Sequence, residues 1–319
     1  MLVSNSSFNN PKWFSGEHIE TIIPSIFRVV NQNPTKKERI STPDKDFLDL
    51  DWHLVGSDKL VIVSHGLEGS SKSEYALGIA KYFNKNNIDA LCWNYRGCSE
   101  EMNLTPTFYH SGATYDLDTI VKHTITKGYS SIILIGFSLG GNLTLKFLGE
   151  NPQKYPQIKS AVTFSVPLDL STGCDEISKL KNKHYAFRFL RKLKKKVRAK
   201  HKIMGDNFPL NGVDSISTIK DFDNAFTGPL HGFKDADEYY EKSSSIHYLN
   251  SINTPTLIIN ALNDPFLPKT CYPTSHLKDH ESIWFETPKH GGHVGFGPAA
   301  KDGSYWSERR SFEFIKEFL

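Results

Sequence analysis

Short apolar runs and helix-spaced apolar positions alternate over most of this chain. The runs at 60–63, 88–93, 132–137, 161–164, 256–259 and 283–285 are too short for helices and read as buried strands. Between and after them, 75–83, 113–123, 142–148 and 307–319 space their apolar residues as helices do; Leu143, Phe147 and Leu148 share one face. Strand then helix, repeated, predicts a mostly parallel sheet with helices on both faces. Ahead of this series, 38–41 and 46–55 read as strands, the second alternating through Leu48, Leu50, Trp52 and Leu54. Thr42, Pro43, Asp44 and Lys45 carry turn chemistry between them, so an antiparallel hairpin is expected. Residues 1–35 read as an N-terminal arm. Its 13–27 stretch mixes aromatic and aliphatic residues around a break at Pro24 and is expected to pack across the body.

The alternation stops between 169 and 251. This part is expected to be a helical insertion, a cap on a single domain covering 1–319. At its centre, Ala186, Phe189, Leu190, Leu193 and Val197 recur at helical spacing within 185–202. Residues 188–202 hold nine Lys or Arg and no acid. The plain reading is a surface helix whose stripe packs on the body and whose basic face is in water. The functional alternative is a lid facing a membrane or an anionic ligand. Nucleic acid is not expected, because no binding fold accompanies the patch.

Composition narrows the classes further. The chain has 319 residues, 38% hydrophobic and 23% charged, with a net charge of +3, as an ordinary globular enzyme has. Taking the nine cations of 188–202 from the total of 38 leaves fewer basic than acidic residues (35), so the positive charge is local. Cys92, Cys98, Cys174 and Cys271 form no C-x-x-C pair and read as reduced thiols of a cytoplasmic protein. The first ten residues have no basic or apolar run of a signal peptide, and no stretch reaches bilayer length. No internal repeat is present.

The candidate chemistry centres on Gly136-Phe137-Ser138-Leu139-Gly140, a G-x-S-x-G pattern between a buried strand and a helix. That context is the one a nucleophile elbow requires. Gly136 and Gly140 let strand and helix approach closely around a strained Ser138. A serine hydroxyl is a poor nucleophile at neutral pH and needs a base, which in turn needs an acid to orient it. In chain order these follow the serine as acid, then histidine. Asp264 leaves the carboxyl end of the 256–259 strand and is the expected acid; Asp279, in a polar run further on, is the poorer choice. His293 is the expected base, on a loop that Gly291 and Gly292 make mobile, with His290 as its rival. The two histidines lack a third ligand of metal type, so no metal and no cofactor is expected. The backbone N–H groups of Leu67 and Leu139 are expected to form an oxyanion hole. Gly66 lets the first loop come close, and His65 braces it. His110 and Asp116 are one residue too far apart for an H-x-x-x-x-D box and read as a loop and helix start tied together.

These stretches together resemble the YheT-like α/β-hydrolases, a family of bacterial predicted esterases related to eukaryotic α/β-hydrolase-domain lipases. The resemblance rests on 16–24, His65 to Ser71, Asn94 to Cys98, His110 to Gly112 with Asp116, Gly136 to Asn142, Asn263 to Phe266 and His290 to Phe296. It implies the α/β-hydrolase fold and a charge relay of Ser138, Asp264 and His293. The eukaryotic relatives carry an N-terminal membrane anchor; this chain shows none, so membrane-lipid substrates do not simply carry over. Residues and resemblance lead to a serine carboxyl-ester hydrolase for a small-molecule or lipid-like ester with an apolar acyl chain. Phe187, Phe189, Phe208, Phe222, Phe226 and Phe233 of the cap are candidates to line its pocket. Acyl transfer, thioester or amide cleavage with the same triad, and a non-catalytic binding protein on the same fold, are the alternatives.

Overall fold

The computed structural model describes residues 1–210 and 212–319. Its strands are β1 (Leu2–Val3), β2 (Lys36–Ser41), β3 (Phe47–His53), β4 (Lys59–Ser64), β5 (Asp89–Asn94), β6 (Ser131–Phe137), β7 (Ile158–Phe164), β8 (Thr256–Ile259) and β9 (Ile283–Glu286). They form one nine-stranded sheet in the order β1-β9-β8-β7-β6-β4-β5-β3-β2. The hairpin of β2 and β3 is antiparallel, as is the pairing of β3 with β5; every other pairing is parallel.

Helices cover both faces: α1 (Glu17–Phe27), α2 (Glu74–Lys85), α3 (Thr114–Thr126) and α4 (Leu139–Glu150) precede the insertion. Side chains alternate along a strand, so β4 feeds two cores. Leu60 and Ile62 pack with Leu117 of α3 and Leu143 of α4. Val61 and Val63 pack with Ile79 and Phe83 of α2 and with the closing helix. A strand buried on both faces must be apolar throughout, which is why 60–63 shows no alternation.

Between β7 and β8 lie α5 (Leu170–Ser178), α6 (Lys183–Met204), α7 (Ile219–Phe222), α8 (Gly228–Leu230) and α9 (Ala236–Ser243), with no strand among the described residues. They enclose a third core that includes Leu190, Val197, Phe208, Phe226 and Tyr240. The chain ends with α10 (Thr274–Leu277) and α11 (Trp306–Ile315).

Three details depart from the sequence reading. The N-terminal arm contributes a ninth strand, since Leu2 and Val3 pair with Phe285 and Glu286; two residues carry no periodicity to reveal it. Pro24 does not break its segment but lies inside α1, leaving the Glu20 carbonyl without an intrahelical donor. Gly295 packs against that carbonyl so closely that a Cβ there would overlap it. Finally, the basic face of α6 is not all in water. Leu190, Leu193 and Val197 are buried as a stripe, but Lys200 is fully buried beside them. Its Nζ donates to Asn103 O (2.6 Å), Asn103 Oδ1 (2.7 Å) and Thr105 O (2.7 Å). These oxygens replace its hydration, and burial pushes its pKa down to about 8.

Candidate active site

β6 ends in the elbow. Ser138 has φ 54° and ψ −117°, a conformation that side-chain-bearing residues rarely adopt. The flanking glycines make it reachable: a Cβ on Gly136 would lie 2.7 Å from Gly141 Cα, and one on Gly140 would lie 2.6 Å from His65 O. α4 starts immediately after Ser138, earlier than its apolar spacing indicated, and its first N–H belongs to Leu139.

Ser138 Oγ lies 3.0 Å from His293 Nε2. His293 Nδ1 lies 2.9 Å from Asp264 Oδ2 and 3.1 Å from Oδ1. A carboxylate only accepts, so Nδ1 carries the proton and Nε2 is left as the acceptor for the serine hydroxyl. The Asp264 side chain is fully buried, and its Oδ1 also accepts from Phe266 N (2.9 Å). The Phe266 ring lies 4.3 Å from the imidazole, centre to centre. Asp279 makes no hydrogen bond to His293 among the described residues.

The histidine loop is clamped rather than mobile. Gly291 N donates to Glu20 Oε2, Gly292 N to Asn263 Oδ1 (3.1 Å), His293 N to Thr21 Oγ1 (2.9 Å), Val294 N to Ser165 Oγ (2.9 Å) and Phe296 N to Gly291 O (3.0 Å). Its glycines serve contact. A Cβ on Gly292 would lie 2.8 Å from Thr21 N, and one on Gly291 would lie 2.5 Å from the Phe296 ring; both have positive φ. The sequence reading missed Glu20 altogether. This buried carboxylate takes five donors: Asn10 Nδ2, Gly16 N and His290 Nδ1 on one oxygen, Gly291 N and Asn263 Nδ2 on the other. His290, the rival base, is therefore a partner of Glu20 (3.0 Å) and not of the serine. The available signal was slight: an acid among the isoleucines of 19–26, in a helix that carries a second acid at Glu17.

The loop after β4 approaches the elbow from the other side. Gly66 sits so close that a Cβ would lie 3.3 Å from Ser138 Cβ. His65 is fully enclosed; burial pushes its pKa down to about 3, so it stays neutral. Its Nδ1–H donates to Gly66 O (2.8 Å), and its Nε2 accepts from Tyr95 N (3.4 Å). The N–H groups of Leu67 and Leu139 have no intramolecular acceptor among the described residues. The next residue, Glu68, is held at every handle. Its N donates to Tyr109 Oη (2.9 Å), its carbonyl accepts from Lys192 Nζ (3.1 Å) and its carboxylate accepts from Tyr109 Oη (2.8 Å) and Lys196 Nζ (2.7 Å).

His110 and Asp116 are not tied to each other. Asp116 forms a two-pronged pair with Arg96 (2.7 and 2.9 Å), while His110 packs 4.6 Å from His231 in the cavity wall. Ser138, His293, Leu67 and Leu139 open onto a cavity of about 640 Å³. Its wall includes Leu170, Ile177, Leu193, Ile219 and Phe222. Of the six cap phenylalanines, only Phe189 and Phe222 border it; Phe208 and Phe226 fill the insertion's own core, Phe233 packs on His110 and Phe187 is exposed. Among the described residues no cluster of three metal-ligating side chains occurs, and no helix is long and apolar enough to cross a membrane.

The arrangement can deprotonate a hydroxyl beside two unoccupied backbone donors. Comparison with known proteins agrees with the fold around it. The sequence pattern of the α/β-hydrolase fold matches residues 59–297. YheT of Escherichia coli, named as a predicted esterase, is 31% identical over 99% of this chain and 95% of its own. A monoacylglycerol lipase of Saccharomyces cerevisiae is 28% identical over 93% of this chain and 66% of its own. The phospholipase ABHD3 of Bos taurus is 29% identical over 82% of this chain and 66% of its own. Among solved structures, the Pyrococcus furiosus esterase Pf2001 superposes with a TM-score of 0.60 at 19% identity, over 92% of this chain and 96% of that one. That likeness speaks for the fold alone. With the family pattern running from β4 to the histidine loop and YheT matching almost end to end, this chain belongs to the α/β-hydrolase family, in its YheT-like branch.

Proposed function

We propose that the protein is a serine carboxylic-ester hydrolase with Ser138 as nucleophile, His293 as base and Asp264 as the group that orients the ring. The observation that carries this reading is the 3.0 Å approach of Ser138 Oγ to His293 Nε2, with Asp264 at 2.9 Å on the other nitrogen. His293 takes the serine proton as Oγ bonds to the ester carbonyl carbon. The negative oxygen then rests on Leu67 N–H and Leu139 N–H. His293 returns the proton to the departing alcohol, leaving an acyl-Ser138. Water, deprotonated by His293, attacks the acyl carbon, and His293 returns that proton to Ser138 Oγ as the acyl bond breaks and the acid leaves. The names esterase, monoacylglycerol lipase and phospholipase among its relatives support ester substrates, and the apolar cavity supports an apolar acyl chain. We read 169–251 as the cap of a single domain and the four free cysteines as thiols of a cytoplasmic protein.

The test is hydrolysis of p-nitrophenyl esters from acetyl to palmitoyl, with fluorophosphonate labelling in parallel. Wild type is expected to turn over and label at Ser138. Ser138→Ala is expected to lose about 10⁴-fold or more in kcat with an unchanged melting temperature. Wild type that neither hydrolyses nor labels refutes the reading.

A further inference from the structure

Two helices border the mouth of the cavity, and the outer sides of both are unusual. α1 contributes Ile22, Ser25 and Ile26 to the wall and α6 contributes Arg188, Phe189 and Lys192. The helices touch where His18 Nδ1 meets Tyr185 Oη at 3.2 Å, so they flank one opening. On α1, Ile19, Ile23 and Phe27 follow one another at intervals of four and all point into solvent, Phe27 with 70% of its surface exposed. Trp13 and Val29, in the segments just before and after the helix, are exposed as well, at 74% and 77%. No acid interrupts 21–29, and the one acid between 19 and 29 is the buried Glu20. Folded chains seldom leave such a contiguous apolar ridge in water without a use for it.

α6 presents the complementary half. Its outer stripe runs Phe187, Arg191, Lys195, Lys202, all exposed. Lys194, Lys196, Arg198 and Lys200 are engaged by oxygens of the protein. Arg188, Arg191, Lys195 and Lys202 have no partner among the described residues, and α6 contains no acid. An apolar ridge and an unneutralised cationic strip thus stand on either side of one opening that leads to an apolar cavity.

We propose that this rim docks onto an anionic lipid bilayer, with the α1 ridge inserted at the headgroup boundary and the α6 strip against the acidic headgroups. Interfacial segments combine these two features, an apolar side for the acyl region and cations for anionic lipid. Charge argues against a second copy of the chain as the occupant. A two-fold contact through the rim would bring two unneutralised α6 strips together. The proposal stands apart from the ester chemistry, and its readout needs no turnover.

The experiment is flotation of the full chain with vesicles of phosphatidylcholine, alone or with about 30% phosphatidylglycerol, at about 0.1 M and about 0.5 M salt. Wild type is expected to float with the anionic vesicles only, and to fall about tenfold in bound fraction at the higher salt. Ile23→Asp with Phe27→Asp, and separately Arg191→Glu with Lys195→Glu, are expected to lower binding about tenfold each. All four positions are exposed and lie outside the cavity wall, so melting temperatures should match wild type. Wild type that ignores anionic vesicles overturns the proposal, as do variants that bind like wild type. So does a wild-type dimer that Ile23→Asp with Phe27→Asp converts to a monomer, because the ridge would then be a subunit contact.

Discussion

The elbow and the histidine loop both rely on paired glycines, but the pairs answer to different parts of the chain. Gly136 lets β6 and α4 pass within contact distance, so much of what constrains Ser138 lies within a few residues of it, while Gly140 admits the neighbouring end of β4. Gly291 and Gly292 let the loop press against Glu20, Thr21 and Phe296, and the decisive partners come from α1, about 270 residues away. One half of the candidate site is therefore built locally and the other is held by a remote helix. A local device shows itself in a short motif. A remote one shows only as an odd residue elsewhere, here a buried carboxylate in a helix at the other end of the chain.

The largest expected effect tests the local half. Gly136→Ala sets a methyl against the Gly140 carbonyl and Gly141 Cα, which are backbone and cannot turn away. We expect a loss of more than about 4 kcal/mol, read as a collapsed thermal transition or insoluble protein. A variant that melts within a few degrees of wild type would mean the elbow is less tightly built than its geometry indicates.

Glu20→Ala addresses the remote half. It removes the acceptor for five donors, and a stability loss of about 2–4 kcal/mol follows from the polar groups left buried and unpaired. Ester turnover should fall about 10- to 100-fold as His293 loses its fixed position. Hydrogen exchange separates the two halves: 290–296 should exchange faster while 136–142 stays protected. Equal loosening of both segments would erase the distinction. Glu20→Gln keeps the shape with fewer charge-assisted bonds and should recover part of the loss.

Thr21→Val is the finer version, deleting the acceptor of His293 N together with the hydroxyl's own bond to Glu17 O (2.6 Å). About 1 kcal/mol of stability and a several-fold drop in kcat, with KM little changed, are expected. The smallest effect lies in the cavity wall, outside both loops. Burial pushes the Asp223 carboxyl up to about 6 from an ordinary 3.8, against the Thr227 and Tyr240 hydroxyls that favour the anion. The folded chain thus keeps a proton that the unfolded chain releases between about pH 4 and 6, so this group's stability contribution falls as pH rises through that window. Asp223→Asn should flatten that part of the melting-temperature profile and gain about 1 kcal/mol near pH 7.

The same division governs how much could be read beforehand. The parallel sheet was legible because its strands are buried on both faces, and Ser138 because its turn imposes small residues two positions to either side. Asp264 and His293 were legible from chain order and from their places after β8 and β9. Glu20, Thr21 and Ser165 were not, since nothing local distinguishes an acceptor aimed at a distant amide from one facing water. The glycines of 290–296 were read for freedom when their use is contact; a composition of glycines fits both. The basic helix misled in a similar way: Lys196 and Lys200 look like their solvated neighbours until Glu68 and the 103–105 carbonyls are placed opposite them.

Those two lysines bear on the tempo of turnover. Lifting α6 off the body would strand the Lys200 ammonium away from its three oxygens and part Lys196 from Glu68, so wholesale hinging of the insertion would break buried charged contacts. Traffic is then left to side chains between α1 and α6, which rearrange in nanoseconds rather than milliseconds. Under the proposed ester chemistry, acylation or deacylation, and not the opening of a gate, would set the pace, and turnover of a soluble ester should respond little to solvent viscosity.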